Sequence, residues 1–133
     1  LTLLKQEKGR ALIYVFRKQK LEQDWSKKGV ARLLSQYGYE PKCMLCCLAK
    51  LRQRLEAGDG FPHEIGLFLG YPLADVYGFI KNQGRNCKCT GYWKVYCNEC
   101  EAKKTFQKYK KCKDVYVRLF AEGRSVMQLT VAA

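Results

Sequence analysis

The stretch HEIGLFLGYPLADVYGFIKNQG, residues 63–84, constrains the fold more than any other part of this 133-residue chain. Gly66 is followed four residues later by Gly70, and Val76 comes six residues after that. A small residue in a first helix, a glycine in the turn and apolar residues at the contact allow two helices to pack closely. The pattern therefore predicts a helical hairpin over residues 62–84.

The same stretch is a poor DNA-reading motif, although helix-turn-helix proteins use this kind of packing. A recognition helix presents Arg, Lys, Asn, Gln, Ser or Thr to base edges and phosphates. Asp75 is the only charge at the expected exposed positions, and phosphates repel it. We therefore interpret the hairpin as a packing unit whose apolar second helix lies against the rest of the domain. The other expected exposed positions are Pro72, Leu73, Ala74, Tyr77 and Gly78.

The remaining patterns predict an α+β, helix-dominated single domain over residues 1–133. Residues 1–17 are predicted to form a β-hairpin. RALIYVFR is apolar on both faces, so its strand is expected to lie centrally, with further partner strands from elsewhere in the chain or from a preceding segment. Residues 18–84 are predicted to be a helical region that includes the hairpin. A loop and the short aromatic strand YWKVY fill residues 85–97, and the C-terminal helices fill residues 98–133.

Helix boundaries are indicated by capping residues. Ser26 is expected to cap a helix that ends at Gly38. A long helix is predicted over residues 98–122, and Ser125 with Gln128 makes a capping box for a final short helix. The apolar stripe of the long helix is expected to be buried and consists of Phe106, Tyr109, Cys112, Tyr116, Leu119 and Phe120.

The chain carries 25 basic and 12 acidic residues, a formal net charge of +13. Such a surplus favours anionic partners such as nucleic acid, an anionic lipid surface or an acidic protein. Cations lie near the aromatic pair Tyr92–Trp93, and this combination suits phosphates and stacked bases. The alternative is a solvated helix face with both aromatics buried in a strand. The candidate anion- or nucleic-acid-binding residues are Arg85, Lys88, Lys94, Lys104, Lys108 and Lys111.

Eight cysteines, with a start unlike an export signal, indicate a reducing, cytoplasmic setting in which thiols stay free or bind metal. Two close pairs separated by seven residues have a spacing suited to a structural zinc site, because zinc takes four thiolates in a tetrahedron. The alternative is that these cysteines are thiols acting as small apolar residues. The candidate zinc ligands are Cys87, Cys89, Cys97 and Cys100.

A second cysteine cluster comprises Cys43, Cys46 and Cys47, in a segment predicted to be helical. Positions three and four apart share a helix face, which often means core packing. A redox or iron–sulfur role for Cys43, Cys46 and Cys89 is the competing interpretation.

No catalytic motif stands out. His63 and Glu64 lack the second histidine of a metalloprotease helix, and they suit a helix start in which the carboxylate favours the helix dipole. The chain has no apolar run near 18 residues, so we expect no membrane span.

Several segments together resemble a bacterial family of unknown function that is found mostly in anaerobic Firmicutes. They are FPHEIGLFLGYPLADVYGFI, GYWKVY and GRSVMQLTVA, and the likeness extends to GRALIYVFR and YKKCKDVYVRLFAEGRS, nearly the whole chain. The resemblance implies a further N-terminal segment ahead of ALIYVFR, so we expect part of the family's fold to precede Leu1. It also implies acidic residues after WKVY, where this chain has Cys97 and Cys100. It implies no established biochemical role.

The sequence thus favours a small, basic, cytoplasmic domain that binds an anionic partner, with nucleic acid as one class, and catalyses no reaction. A thiol-based protein with structural zinc or a redox role is the alternative. An enzyme with an unrecognised active site is the second alternative. No cofactor other than zinc is expected, and the oligomeric state stays open.

Overall fold

The computed structural model describes residues 1–58 and 60–130. It confirms the predicted helix-dominated α+β class, with 55% of residues in helices and 12% in strands. The chain divides into two compact units, Leu1–Asn86 and the part from Cys87 onward. That the whole chain is a single domain stays a prediction.

Two strands, four α-helices and a short 3₁₀-helix make up the described part of the first unit. In chain order these are β1 (Thr2–Glu7), β2 (Arg10–Tyr14), α1 (Lys18–Trp25), α2 (Val30–Gln36), α3 (Met44–Ala57), the 3₁₀-helix (His63–Leu67) and α4 (Leu73–Asn82). The second unit contains β3 (Cys89–Thr90), β4 (Lys94–Val95), α5 (Glu99–Ala121) and α6 (Val126–Thr130).

Within the described residues β2 has β1 as its one partner strand, so the expected further strand does not come from this part of the chain. A partner strand from a preceding segment stays a prediction. Strands β1 and β2 form a two-stranded antiparallel sheet joined by the turn Lys8–Gly9, in which both residues have positive φ. Leu12 and Ile13 are 43% and 55% exposed. Leu12 and Ile13 point to opposite faces of β2, so its apolar residues do not signal a neighbouring strand on both sides within the described chain.

The predicted cap at Ser26 is also wrong. Ser26 ends α1, where its Oγ donates to the carbonyl of Gln23 over 2.6 Å. Helix α2 starts after Gly29, whose left-handed backbone (φ 90°) breaks the helical run. The end near Gly38 is confirmed, because the Gly38 N–H donates to the Ser35 carbonyl over 3.0 Å.

Phe68 lies at the centre of the first unit's core. The rings of Tyr14, Trp25 and Tyr39 surround it at centroid distances of 6.3, 5.1 and 5.5 Å. The Tyr14 hydroxyl donates to the Phe68 carbonyl. The indole N–H of Trp25 donates to the Leu67 carbonyl over 3.2 Å. Buried carbonyls need donors, so these bonds hold the end of the 3₁₀-helix inside the core.

The 3₁₀-helix and α4 meet at Gly66, within the stretch predicted as a helical hairpin. A Cβ on Gly66 would lie 2.8 Å from Val76 and 3.1 Å from Tyr71, so only glycine fits this approach. Asp75, expected to be exposed, is instead buried. The first element is thus a 3₁₀-helix, and α4 turns its one charged first-turn residue inward.

In the second unit the β3–β4 hairpin packs against the N-terminal half of α5. Strands β3 and β4 pair antiparallel, and Trp93 packs edge-to-face on Phe106 with centroids 4.6 Å apart. A Cβ on Gly91 would lie 2.4 Å from the Phe106 ring, so the hairpin turn approaches α5 closely. The predicted aromatic strand is present, with β4 covering its middle.

Helix α5 confirms the predicted long C-terminal helix, but its apolar stripe is not buried. Tyr109, Tyr116 and Phe120 are exposed. Cys112 is exposed as well, contrary to its expected role as a buried apolar residue. Helical periodicity reveals an apolar face, but it does not reveal how many turns of that face a neighbour covers.

The predicted capping box before α6 is confirmed. The Ser125 N–H donates to Gln128 Oε1 over 2.8 Å, and the Gln128 N–H donates to Ser125 Oγ over 3.2 Å. Across residues 1–58 and 60–130, no helix combines the length and apolar character that crossing a bilayer requires.

Candidate anion-binding surface

Lys104, Lys108 and Lys111 lie along one face of α5, and we name these three residues the basic ridge. Their spacings of four and three residues place them one turn apart. All three are exposed. The helix rises about 10 Å over this distance, close to the axial span of four successive phosphates on one DNA strand.

Positive charge on the ridge is largely uncompensated. Lys104 Nζ lies 3.1 Å from Glu101 Oε1 in an exposed pair, which contributes little. Lys108 and Lys111 have no acidic partner in the described parts of the chain. Lys108 and Lys111 can therefore receive an external anion directly, whereas Lys104 shares its charge with Glu101.

The other cations of α5 are mostly paired with acids four residues away on the same helix. The pairs are Lys103 with Glu99 at 2.8 Å, Lys110 with Asp114 at 2.9 Å and Arg118 with Glu122 at 3.9 Å. The hydrogen bond between Lys103 and Glu99 raises the pKa of Lys103 and lowers the pKa of Glu99. These ion pairs largely neutralise the other cations of α5, so the unpaired positive charge is greatest at the ridge.

The six candidate basic residues are divided between the two units. Arg85 belongs to the first unit, whereas the other five belong to the second. Lys88 lies at the entrance to β3, where its N–H donates to the Val95 carbonyl over 2.7 Å. Lys103 is the main cause of the lowered pKa of Glu99, and the charge of Lys88 makes a smaller contribution in the same direction. Lys94 lies in β4 and is half-buried.

Tyr92 and Trp93 were expected either to be exposed for base stacking or to be buried in a strand, and each of the two fits a different expectation. Trp93 is buried, as the alternative expects, but Tyr92 is 47% exposed. The Tyr92 ring meets Tyr109 of α5 edge-to-face with centroids 5.5 Å apart. Tyr109 is 43% exposed. At 3.6 residues per turn, Tyr109 lies about 100–160° around α5 from the three ridge lysines. The two partly exposed tyrosines therefore form a ring surface, suited to stacked bases, on a different face of α5 from the ridge.

The four candidate zinc ligands occupy the start of the second unit. Cys87 Sγ lies 3.5 Å from Thr90 Oγ1, and Cys97 and Cys100 are exposed near the start of α5. Partial burial and the nearby Glu99 carboxylate raise the pKa of Cys89, which favours the protonated thiol. No three His, Cys, Asp or Glu side chains of the described residues are grouped to hold a metal. A zinc site stays a prediction.

The chain matches a known protein family over nearly its whole length. A family model described as "Protein of unknown function (DUF3793)" matches residues 1–130. The chain belongs to the DUF3793 family. No curated protein and no solved structure matches it. The expected membership of a family of unknown function is thus confirmed, and DUF3793 membership assigns no activity, ligand or partner.

A buried ionic cluster in this DUF3793 chain escaped the sequence analysis. Glu64 is fully buried, its Oε1 accepts the Tyr39 hydroxyl over 2.9 Å, and Arg54 Nε pairs with the same oxygen. The Arg54 guanidinium also lies over the ring of Tyr37. Burial and the Glu64 contact raise the pKa of Tyr39. Sequence spacing gave no signal, because each partner lies ten or more residues away from Glu64.

His63 takes part in packing. Its ring lies 4.9 Å from Phe79 and 6.3 Å from Phe61, centroid to centroid. These aromatic contacts fit the structural interpretation of the His63–Glu64 pair.

The second cysteine cluster of the DUF3793 chain is not a shared helix face. Cys43 precedes α3 as its N-cap residue and forms a disulfide with Cys46. Cys47 is buried in the core. Core packing was therefore the correct interpretation for Cys47 alone.

Proposed function

We propose that this protein binds an anionic partner without catalysing a reaction, and that nucleic acid is the class of partner. The observation that carries the proposal is the basic ridge. Its lysines form a line on an exposed 23-residue helix, and Lys108 and Lys111 lack acidic partners among the described residues. Such a line suits a polyanion with regularly spaced charges.

The chemistry of the ridge indicates binding that is independent of base sequence. Lysine is a flexible point charge that contacts phosphate, whereas reading a base requires a forked or amide side chain. The pair Tyr92–Tyr109, on a different face of α5 from the ridge, offers ring surface to unpaired bases. A flexible single strand can reach both faces, so we expect single-stranded nucleic acid to bind more tightly than duplex.

A cytoplasmic setting is part of the proposal. Six of the eight cysteines are thiols, which supports a setting where reductants keep thiols reduced, and the other two form the Cys43–Cys46 disulfide.

The test is fluorescence anisotropy of labelled single-stranded RNA and random duplex DNA, each titrated with protein across a series of salt concentrations. Lys104, Lys108 and Lys111 are changed together to Ala. If each contacts a phosphate, the slope of log K against log salt should fall by about 2, at about 0.7 per single-strand phosphate.

Lys18, Lys28 and Lys42 changed together to Ala are the matched control. They are exposed lysines of the first unit, and Lys18 is weakly paired with Glu22 as Lys104 is with Glu101. Both triple variants lower the formal net charge of +13 by three. Equal slopes for the two variants would show that the salt dependence follows overall charge, and would reject the ridge as the binding surface. Binding confined to low salt in the unmodified protein would reject the proposal.

A further inference from the structure

We propose that Cys43 and Cys46 are a redox-active pair that exchanges electrons with dithiols and disulfides. The site lies at the start of α3 in the first unit and is independent of the basic ridge. The two cysteines are joined as a disulfide, with Cα atoms 5.2 Å apart.

The helix start distinguishes the two sulfur atoms. Cys43 is the N-cap residue of the 14-residue α3, and its sulfur accepts the Cys46 N–H over 3.3 Å. Unpaired N–H groups and the helix dipole at this end stabilise negative charge. Thiolates at helix N-termini are stabilised for the same reason. Cys43 is therefore the better leaving group when the disulfide opens.

The exposure of Cys46 makes its sulfur the one that an incoming thiolate attacks. Cys46 is exposed and Cys43 is half-buried. Leu45, between them, is 79% exposed and offers an apolar contact beside the reactive sulfur. An incoming thiolate can thus reach the sulfur whose attack expels the stabilised thiolate, the arrangement that speeds exchange.

The reaction balances with a dithiol as the reductant. One thiolate of the dithiol attacks Cys46 Sγ, the Cys43–Cys46 bond breaks, and its electron pair remains on Cys43 as thiolate. The second thiol of the reductant, deprotonated by solvent, then attacks the mixed disulfide and releases Cys46 as thiolate, which takes up a proton. The dithiol departs as a disulfide, and two electrons have moved to the protein.

Cys47 adjoins the pair but is protected from it. It is buried, and its thiol donates to the Glu40 carbonyl over 3.1 Å. Burial raises the pKa of Cys47, so it stays a protonated, unreactive thiol.

The bond is also poorly suited to a purely stabilising role. The entropy that a disulfide removes from the unfolded chain grows with the length of the closed loop. Here the two residues are separated by three positions, which gives a small gain. A short, accessible disulfide at a helix start fits exchange better than it fits stabilisation.

The chain contains an internal control of the same spacing. Cys97 and Cys100 are also three residues apart and exposed, and both stay thiols. The N-cap residue of α5 is Asn98, so neither of these sulfurs occupies the N-cap position. The two pairs therefore test whether the N-cap sulfur, and not the spacing alone, creates the redox couple.

The experiment equilibrates the folded full chain in buffers of defined glutathione to glutathione disulfide ratio, followed by acid quench, maleimide alkylation, trypsin digestion and mass spectrometry. The peptide from residue 43 to 50 carries one alkylated cysteine when the pair is oxidised and three when it is reduced. We expect it to titrate reversibly between these forms. The peptide from residue 95 to 103 should show at least a tenfold lower oxidised fraction at the same midpoint.

Three results would overturn the proposal: no disulfide at the oxidising end, a bond that dithiothreitol does not reduce in the folded protein, or identical titration of both pairs. Acid-trapped glutathione adducts should lie on Cys46, and adducts mainly on Cys43 would reject the assigned direction of attack. In Cys43→Ser the serine preserves the N-cap, so this variant should stay folded while losing the oxidised peptide.

Discussion

At the scale of single residues, Asp24 should make the stability of the protein depend on acid pH. Burial acts to raise the pKa of Asp24, but hydrogen bonds from Lys20 and Lys27 outweigh it and lower that pKa. A lowered folded-state pKa stabilises the protein above the unfolded value of about 4, and this stabilisation is lost as pH falls through the folded value. Asp24→Asn should therefore reduce the free energy of unfolding at pH 7.

The measurement is urea denaturation of the unmodified protein and Asp24→Asn at pH 7, 5 and 3. The difference between them should be largest at pH 7 and shrink toward pH 3. A difference that stays constant over this range would contradict the expected linkage. Glu22→Gln, on the exposed face of the same helix, is the control and should change stability little.

Glu64 shows why residue roles are hard to derive from sequence. Its position at an expected helix start predicted a helix-dipole role, which requires only local information. Its actual partners, Tyr39 and Arg54, come from the turn after α2 and from α3. A buried carboxylate is stable only when such partners converge, and that convergence depends on the tertiary fold.

At the scale of elements, local signals were reliable and burial was not. The bounds of α5 and the Ser125–Gln128 capping box were predicted correctly, because propensities and caps act within a few residues. The exposure of the α5 stripe and of β2 was not predicted. An apolar periodicity indicates a face that can be buried, but the covering element lies elsewhere in the chain.

The contact between the β3–β4 hairpin and α5 gives a prediction at the same scale. Gly91→Ala would place a Cβ 2.4 Å from the Phe106 ring, a separation that packed atoms do not tolerate. Overpacking of this kind costs about 1–3 kcal/mol. Trp93 fluorescence during urea denaturation should report this loss in the second unit. Adding Phe106→Leu should restore part of the loss, and a purely additive double variant would show that the clash is not the cause.

At the scale of the whole molecule, composition predicted charge but not its placement. The net charge of +13 indicated an anionic partner, and three of the six candidate residues do line one helix face. Arg85 falls in the first unit, because the boundary between compact units is set by packing and not by adjacency along the chain. The Cys43–Cys46 bond was missed for a similar reason. The segment was treated as wholly helical, so the N-cap position of Cys43 was not recognised.

The two units should also differ in stability, and each contains one of the two tryptophans. Among the described residues, the first unit's core has 15 buried members including Trp25, whereas the second unit buries only Trp93, Val95 and Ala102 among its apolar residues. Buried apolar area is the main source of stability, and very small units are marginal. We therefore expect the 5-fluorotryptophan resonance of Trp93 to lose its folded shift at a lower urea concentration than that of Trp25. Trp93→Phe assigns the two signals. Coincident transitions would show instead that the whole chain unfolds as one cooperative domain.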